Sequence, residues 1–304
     1  DVRPDRRMSL EAALARFVQR DCVLYLPTET PAAVRGLVRQ FHASGAELTL
    51  VCLRAGASHA GQLLAHGLVK KVIAASFGVQ YPASQPCPLV QRTHKAGGTE
   101  FECWSLVSLV QRLMAGATGV PFLPTRSLAG SDMTANAGYA TVADPFGGEP
   151  VALVSALKPE ITIAHALAAD AAGNAIVVPP FEDDLWSTRA ATRGVIVLAE
   201  NIVGSDFLRR HANLVRIPAA QVIAVCHTPW GSHPDGFESG LDLGLPISRY
   251  ARDVTHYRDY AEAVREPAAF ARWTAQWVTG VDSHASYLER LGIRPPPAPQ
   301  PVEE

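Results

Sequence analysis

A chain of 304 residues, 48% hydrophobic and 18% charged, can bury a large core and reads as globular and soluble. A formal net charge of −2 gives no basic footprint for nucleic acid. No stretch approaches the roughly 20 apolar residues of a membrane helix, and DVRPDRRMSLEAALARF lacks the apolar run of a signal peptide, so the expected location is the cytoplasm. The five cysteines, Cys22, Cys52, Cys87, Cys103 and Cys226, form no CxxC pair, and their odd number argues for reduced thiols over a disulfide framework.

In chain order, Leu10, Ala13, Leu14 and Phe17 have helical spacing over Ser9 to Val18, with Ser9 as cap. Cys22 to Leu26 reads as a strand. Thr30-Pro31 opens a helix running to Phe41, because proline at a first helical position loses no needed hydrogen bond. Leu48 to Leu53 reads as a strand, Leu63 to Leu68 as a helix, Val69 to Ala74 as a strand and Trp104 to Ala117 as an amphipathic helix before the extended PFLPT. Gly138 to Pro150 is the least regular stretch and reads as a surface loop. Strands follow at Val151 to Ser155, Ile161 to Ala166, Val195 to Ala199 and Val222 to Cys226, with a helix-compatible Leu185 to Thr192. The C-terminal helices are Tyr257 to Arg265 and Pro267 to Val278. This alternation predicts an α/β fold, an open, mostly parallel sheet with flanking helices, in one domain over 1–292; the Pro-rich tail 293–304 reads as extended or disordered.

The segment ITIAHALAADAAGNAIVV, from Ile161 to Val178, is the most informative. An apolar run reaches His165, Asp170, Gly173 and Asn174 punctuate it, and Ile176 to Val178 restart a β pattern, leaving polar groups at a strand end where ligands of open α/β sheets bind. A hydrogen-bonded core histidine is the competing reading for His165. His227, His233 and Asp235 have no recognised zinc spacing, so no metal site is expected; His233 in GSHP instead suggests a fixed loop. The acids Glu182, Asp183 and Asp184 suit a helix N-terminus. No GxGxxG, P-loop or GxSxG occurs.

Four segments carry a resemblance: LAHGLVKKVIAASFG (Leu64 to Gly78), LVQRLMAGATGVPFLPTRSLAGSD (Leu109 to Asp132), ADPFGGEPVALVSALKPEITIAHALAADAAGNA (Ala143 to Ala175) and HTPWGSHP (His227 to Pro234). Together they resemble the A (alpha) subunit of family I CoA-transferases, of the glutaconate CoA-transferase type. The resemblance implies an open α/β fold and an acyl-CoA site shared with a B (beta) subunit, in an (αβ)2 heterotetramer. It also implies coenzyme A as substrate with no further cofactor. A glutamate of the B subunit then attacks the thioester, and this chain alone would be inactive.

Such A subunits usually carry a GGF- or GGW-type turn after the first strand, and here Pro27-Thr28-Glu29-Thr30 stands in its place. Glu29 is therefore a candidate base or nucleophile, against its reading as a first-turn acid at a helix N-terminus. In related ring-cleaving CoA-ester hydrolases a glutamate precedes the helix leading to PFLP; that position is Leu106 here, with Glu100 and Glu102 nearby. Thr28, Thr30, Arg126, Ser127, Asp132, His165, Asn174 and His233 are the substrate-binding candidates, Arg126 as a fork for a carboxylate or a CoA phosphate. Ser127 and Ser131 also fit a turn that bonds its own backbone. Hydrolysis or decarboxylation on the same scaffold, and a purely structural role beside another polypeptide, are the alternatives to transfer.

Overall fold

The computed structural model describes residues 4–56, 60–79, 83–178 and 182–296, the side chains of 182–184 excepted. Helix α1 (Leu10–Phe17) starts where Ser9 accepts the N–H of Ala12, and it leads into β1 (Val23–Tyr25) and α2 (Pro31–Phe41). Next come β2 (Leu48–Arg54), α3 (Ala60–Ala65), β3 (Val69–Ser76), α4 (Pro88–Ala96) and β4 (Glu100–Cys103). Helix α5 (Leu106–Thr118) is capped by Ser105, which accepts from Ser108 N at 3.1 Å, and stops at Gly119, whose φ of +78° suits glycine.

Strands β5 (Phe122–Thr125), β6 (Tyr139–Val142) and β7 (Val151–Ser155) form a separate antiparallel sheet with β7 in the middle. Two expectations change here. Val151–Ser155 is a strand but not of the parallel sheet, and the stretch expected to be loop from Gly138 contains β6, because Tyr139 to Val142 find their partners in β7. The helix expected at Leu63 to Leu68 is displaced as well. It ends at Ala65 because Gly67, at φ +66°, lets Leu68 N bond back to Leu63 O at 3.0 Å.

The chain continues with β8 (Ile161–Ala169), β9 (Ala175–Ile176), α6 (Glu182–Ala190), β10 (Gly194–Ile202), α7 (Ser205–Arg210), β11 (Val215–Ile217) and β12 (Val222–His227). Helices α8 (Val254–Ala263), α9 (Pro267–Thr274) and α10 (His284–Arg290) follow; α9 runs into a π-turn at Ala275–Thr279 that breaks the expected helix to Val278. Residues 297–304, most of the Pro-rich tail, and the side chains of Glu182, Asp183 and Asp184 lie outside what is described.

The central nine-stranded sheet runs β12-β10-β8-β1-β2-β3-β4 in parallel, with β9 added antiparallel to β8 and β11 antiparallel to β9. From β1 the chain winds outward through β2, β3 and β4; from β8 it winds the other way through β10 and β12. The order therefore reverses between β1 and β8, where the connections diverge and leave a crevice beyond the strand ends. One face packs Leu24, Leu50, Ile163 and Leu198 under α1 and α2. The other packs Tyr25, Val51 and Ile73 against Leu109 and Leu113 of α5. No helix among the described residues is long and apolar enough to cross a membrane.

Candidate active site

Register makes the crevice. On its β1 side, β8 pairs with β1 only through Leu24–Ile161 and Tyr25–Thr162, and with β9 only through Ala168–Ile176 and Ala169–Ala175. Between the two ladders the edge from 163 to 167 has no strand partner among the described residues, and His165 stands in that gap. A cleft partly open to solvent lies there. Pro27 and Glu29 from the β1 end, His165 and Leu167 from β8, Val178, Leu185 and Phe237 line it.

Behind His165 lies Glu200, wholly buried on β10. Its Oε1 is 2.7 Å from His165 Nε2 and accepts from Tyr250 Oη at 2.7 Å and Gly231 N at 3.1 Å; Oε2 accepts from Trp230 N at 2.6 Å. A buried carboxylate survives only with such full pairing. Burial, and then the neighbouring Glu200, push the Tyr250 phenol well above its ordinary range, so it stays a protonated donor. Ser232 N donates to that phenol at 3.0 Å, and Phe237 meets the His165 ring edge-on at 5.0 Å between centroids. Gly231 is required where it stands: a Cβ there would lie 2.9 Å from Thr228 O and 3.7 Å from His165 Cδ2.

Around the β1 end, Thr28 and Glu29 are half-buried, and Thr28 Oγ1 donates to Glu29 Oε1 at 2.9 Å. Thr30 is buried and donates to Pro27 O at 2.7 Å, closing the turn into α2. The structure thus brings Thr28, Glu29 and Thr30 to the β1 end, with Glu29 on the same cleft as His165.

The other candidates sit elsewhere. Asn174 closes the β8-β9 hairpin: its Nδ2 donates to Asp170 Oδ2 at 2.9 Å and its Oδ1 accepts from Ala219 N at 3.1 Å, so both ends of the amide are engaged within the fold. Arg126, Ser127 and Asp132 lie beyond β5, where Ser127 joins Ser105 at the start of α5. His233 is buried between Tyr287 Oη at 2.8 Å and Asp253 Oδ2 at 3.3 Å, and burial pushes it down to about 4. Its carbonyl accepts from Arg35 Nη1 at 2.9 Å, and the Arg35 guanidinium lies 3.7 Å from the Tyr287 ring centre. Glu102 is held by Lys71, Arg112 and Trp104 Nε1. No group of three or more metal-binding side chains occurs among the described residues.

Glu200, Tyr250, Trp230 and Phe237 were not singled out by sequence reasoning. The available signal was an acid directly after the apolar run Val195 to Ala199, where a strand continues to Ile202.

A strand-end cleft at a reversal of sheet order suits many chemistries, and similarity to known proteins narrows them. The family profile described as Coenzyme A transferase matches residues 7–227. The chain belongs to the coenzyme A transferase family. The A subunit of 3-oxoadipate CoA-transferase from Pseudomonas knackmussii is 31% identical over 193 residues, 63% of this chain and 64% of that one. Glutaconate coenzyme A-transferase from Acidaminococcus fermentans superposes with a TM-score of 0.82 at 24% identity, covering 94% of this chain and 93% of its counterpart, a likeness of fold. A variant of the decarboxylase AibA/AibB superposes with a TM-score of 0.70 at 26% identity, covering 95% and 98%. The chain spans less than two thirds of the length of the curated relatives it matches. The resemblance to the A subunits of CoA-transferases, and the open, mostly parallel α/β fold it implied, are both borne out.

Proposed function

We propose that this chain is the A subunit of a heteromeric CoA-transferase, with the cleft at His165 receiving the acyl end of a CoA thioester beside a B subunit. The overall exchange is R–CO–S–CoA + R′–COO⁻ → R–COO⁻ + R′–CO–S–CoA, which needs no redox cofactor or metal. The observation that carries the reading is the crevice between β1 and β8 in a member of this family, with the Glu200-braced His165 at its wall. The attacking carboxylate is assigned to the B subunit, and this chain supplies the acyl wall and polar anchors. We take 1–292 as one domain, an (αβ)2 assembly and a cytoplasmic setting, in keeping with four buried free thiols.

Co-expression with a B-type partner tests it. The complex should form a new CoA ester from an acyl-CoA and acetate, and the isolated chain should not. Turnover by the isolated chain at the rate of the complex would overturn the assignment.

One observation favours a second reading: Glu29, on this chain, lines the cleft. A carboxylate there could activate water, giving thioester hydrolysis, and free CoA released without any acceptor would identify that outcome. Release of CO2 from a carboxyacyl-CoA would identify decarboxylation.

A further inference from the structure

We infer that the cleft at His165 takes an uncharged, aliphatic acyl chain and rejects acyl groups that end in a second carboxylate. The inference rests on the acyl-CoA reading above and deepens it. Apolar residues, Ile163, Leu167, Val177, Val178, Leu185 and Phe237 among them, supply most of the lining. The hydroxyls at its edge are already engaged, Thr162 Oγ1 donating to Ser187 O at 2.9 Å and Thr188 Oγ1 to Leu185 O at 2.8 Å.

Charge decides the matter. No Lys or Arg lines the cleft among the described residues, and the segments 57–59, 80–82 and 179–181 contain none in their sequence. The acidic side chains are Glu29 on the wall and Glu200 behind it. An acyl carboxylate would lose its water, face acidic side chains and find no cationic fork on this chain. An aliphatic chain has no charge to desolvate on entry and gains apolar burial.

Two esters of equal chain length test this on the complex with the B-type partner: pentanoyl-CoA and glutaryl-CoA, with acetate as acceptor. Pentanoyl-CoA should exceed glutaryl-CoA at least tenfold in kcat/KM. Val178→Lys, which places a cation in the cleft, should shrink or invert that ratio, and Leu185→Arg gives a second chance should the first variant not fold. Calorimetric binding of both esters to the same complex reads the preference without turnover. If neither ester is turned over but pentanoyl-CoA binds tighter, the transferase reading fails and the inference about the cleft stands. Equal or better use of glutaryl-CoA, or its equal or tighter binding, overturns the inference.

Discussion

The backbone N–H of Trp230 reaches Oε2 of Glu200 at 2.6 Å from a residue held at φ +59°, a left-handed conformation that a bulky side chain rarely adopts. Such a conformation costs on the order of 1–3 kcal/mol. A hydrogen bond to a charged acceptor contributes a comparable amount, about 1.5–3 kcal/mol. Stacking of Trp230 on Tyr250, with centroids 4.4 Å apart, adds to it. The carboxylate of Glu200 thus shapes the loop after β12 as well as bracing His165.

Glu200→Gln follows from that. A glutamine keeps the volume but presents an NH2 where two backbone N–H groups and a phenol already point, so at least one donor is left unmet in the interior. A loss of about 2–4 kcal/mol in urea unfolding is expected, the sum of one or two unsatisfied groups. A change below about 0.5 kcal/mol, within the scatter of neutral surface substitutions, would contradict the network.

Gly231→Ala should act through the same loop. The added methyl meets Thr228 O at 2.9 Å, a backbone atom that cannot swing aside. The loop must shift, Glu200 loses the 3.1 Å bond from Gly231 N, and activity of the complex should fall by roughly tenfold or more through misplacement of His165. Unchanged kcat/KM in a normally folded variant would remove the loop from the site.

Acid should destabilise the fold through three buried histidines. Burial pushes His233 down to about 4, His256 to about 3 and His284 to about 3, with Arg35 lowering each further. Asp253 opposes this at His233 and His256, and the Pro229 carbonyl opposes it at His284; Tyr287 also faces His233. Because these folded-state values lie below the unfolded value near 6.5, the unfolded chain binds more protons between them, so stability rises with pH in that window. The contribution is complete above about pH 6.5 and drains away as pH falls toward 4 for His233 and toward 3 for His256 and His284. Unfolding free energies from urea at pH 7.5 and 5.0 should differ by a few kcal/mol, and replacing His256 with Phe should flatten the slope by about one proton. A flat profile from pH 7.5 to 5.0 would refute the idea.

Arg35→Met probes the cation in that cluster. Arg35 is buried; its Nη1 donates to the His233 carbonyl, while Nε and Nη2 have no hydrogen-bond partner among the described residues. Removing a buried charge that is incompletely paired recovers much of what its lost contacts contributed, so the net change at pH 7.5 should be below about 2 kcal/mol. Its loss also lifts a positive neighbour from the three histidines, so the variant should be less acid-sensitive than the parent, read as a shallower fall in midpoint between pH 6.5 and 5.0.

The fold was legible wherever a local pattern carried it. Ser9 capping α1, Pro31 opening α2 and the apolar strands around Leu50, Ile163 and Val197 depend on neighbours in sequence. The small antiparallel sheet was not legible, because Pro124 interrupts the β pattern of β5 and Tyr139 to Val142 become a strand only by pairing with β7. Within the site, His165 stood out as a polar residue in an apolar run. Glu200 did not, since its partners lie 35, 30, 31 and 50 residues away and no spacing announces them. Asn174 attracted notice for its polarity, yet that polarity serves the hairpin, where Asp170 accepts from Gly173 N, Asn174 N and Ser205 Oγ.

Of the five cysteines only Cys103, at the end of β4, is exposed; the other four are sealed in the interior, where burial pushes Cys226 up to about 12 and Cys22 up to about 11. A maleimide dye should therefore attach at one defined place without any engineering, on the rim of the sheet several strands from His165. That gives a spectroscopic handle for following a second polypeptide as it docks, with the acyl cleft left free of label.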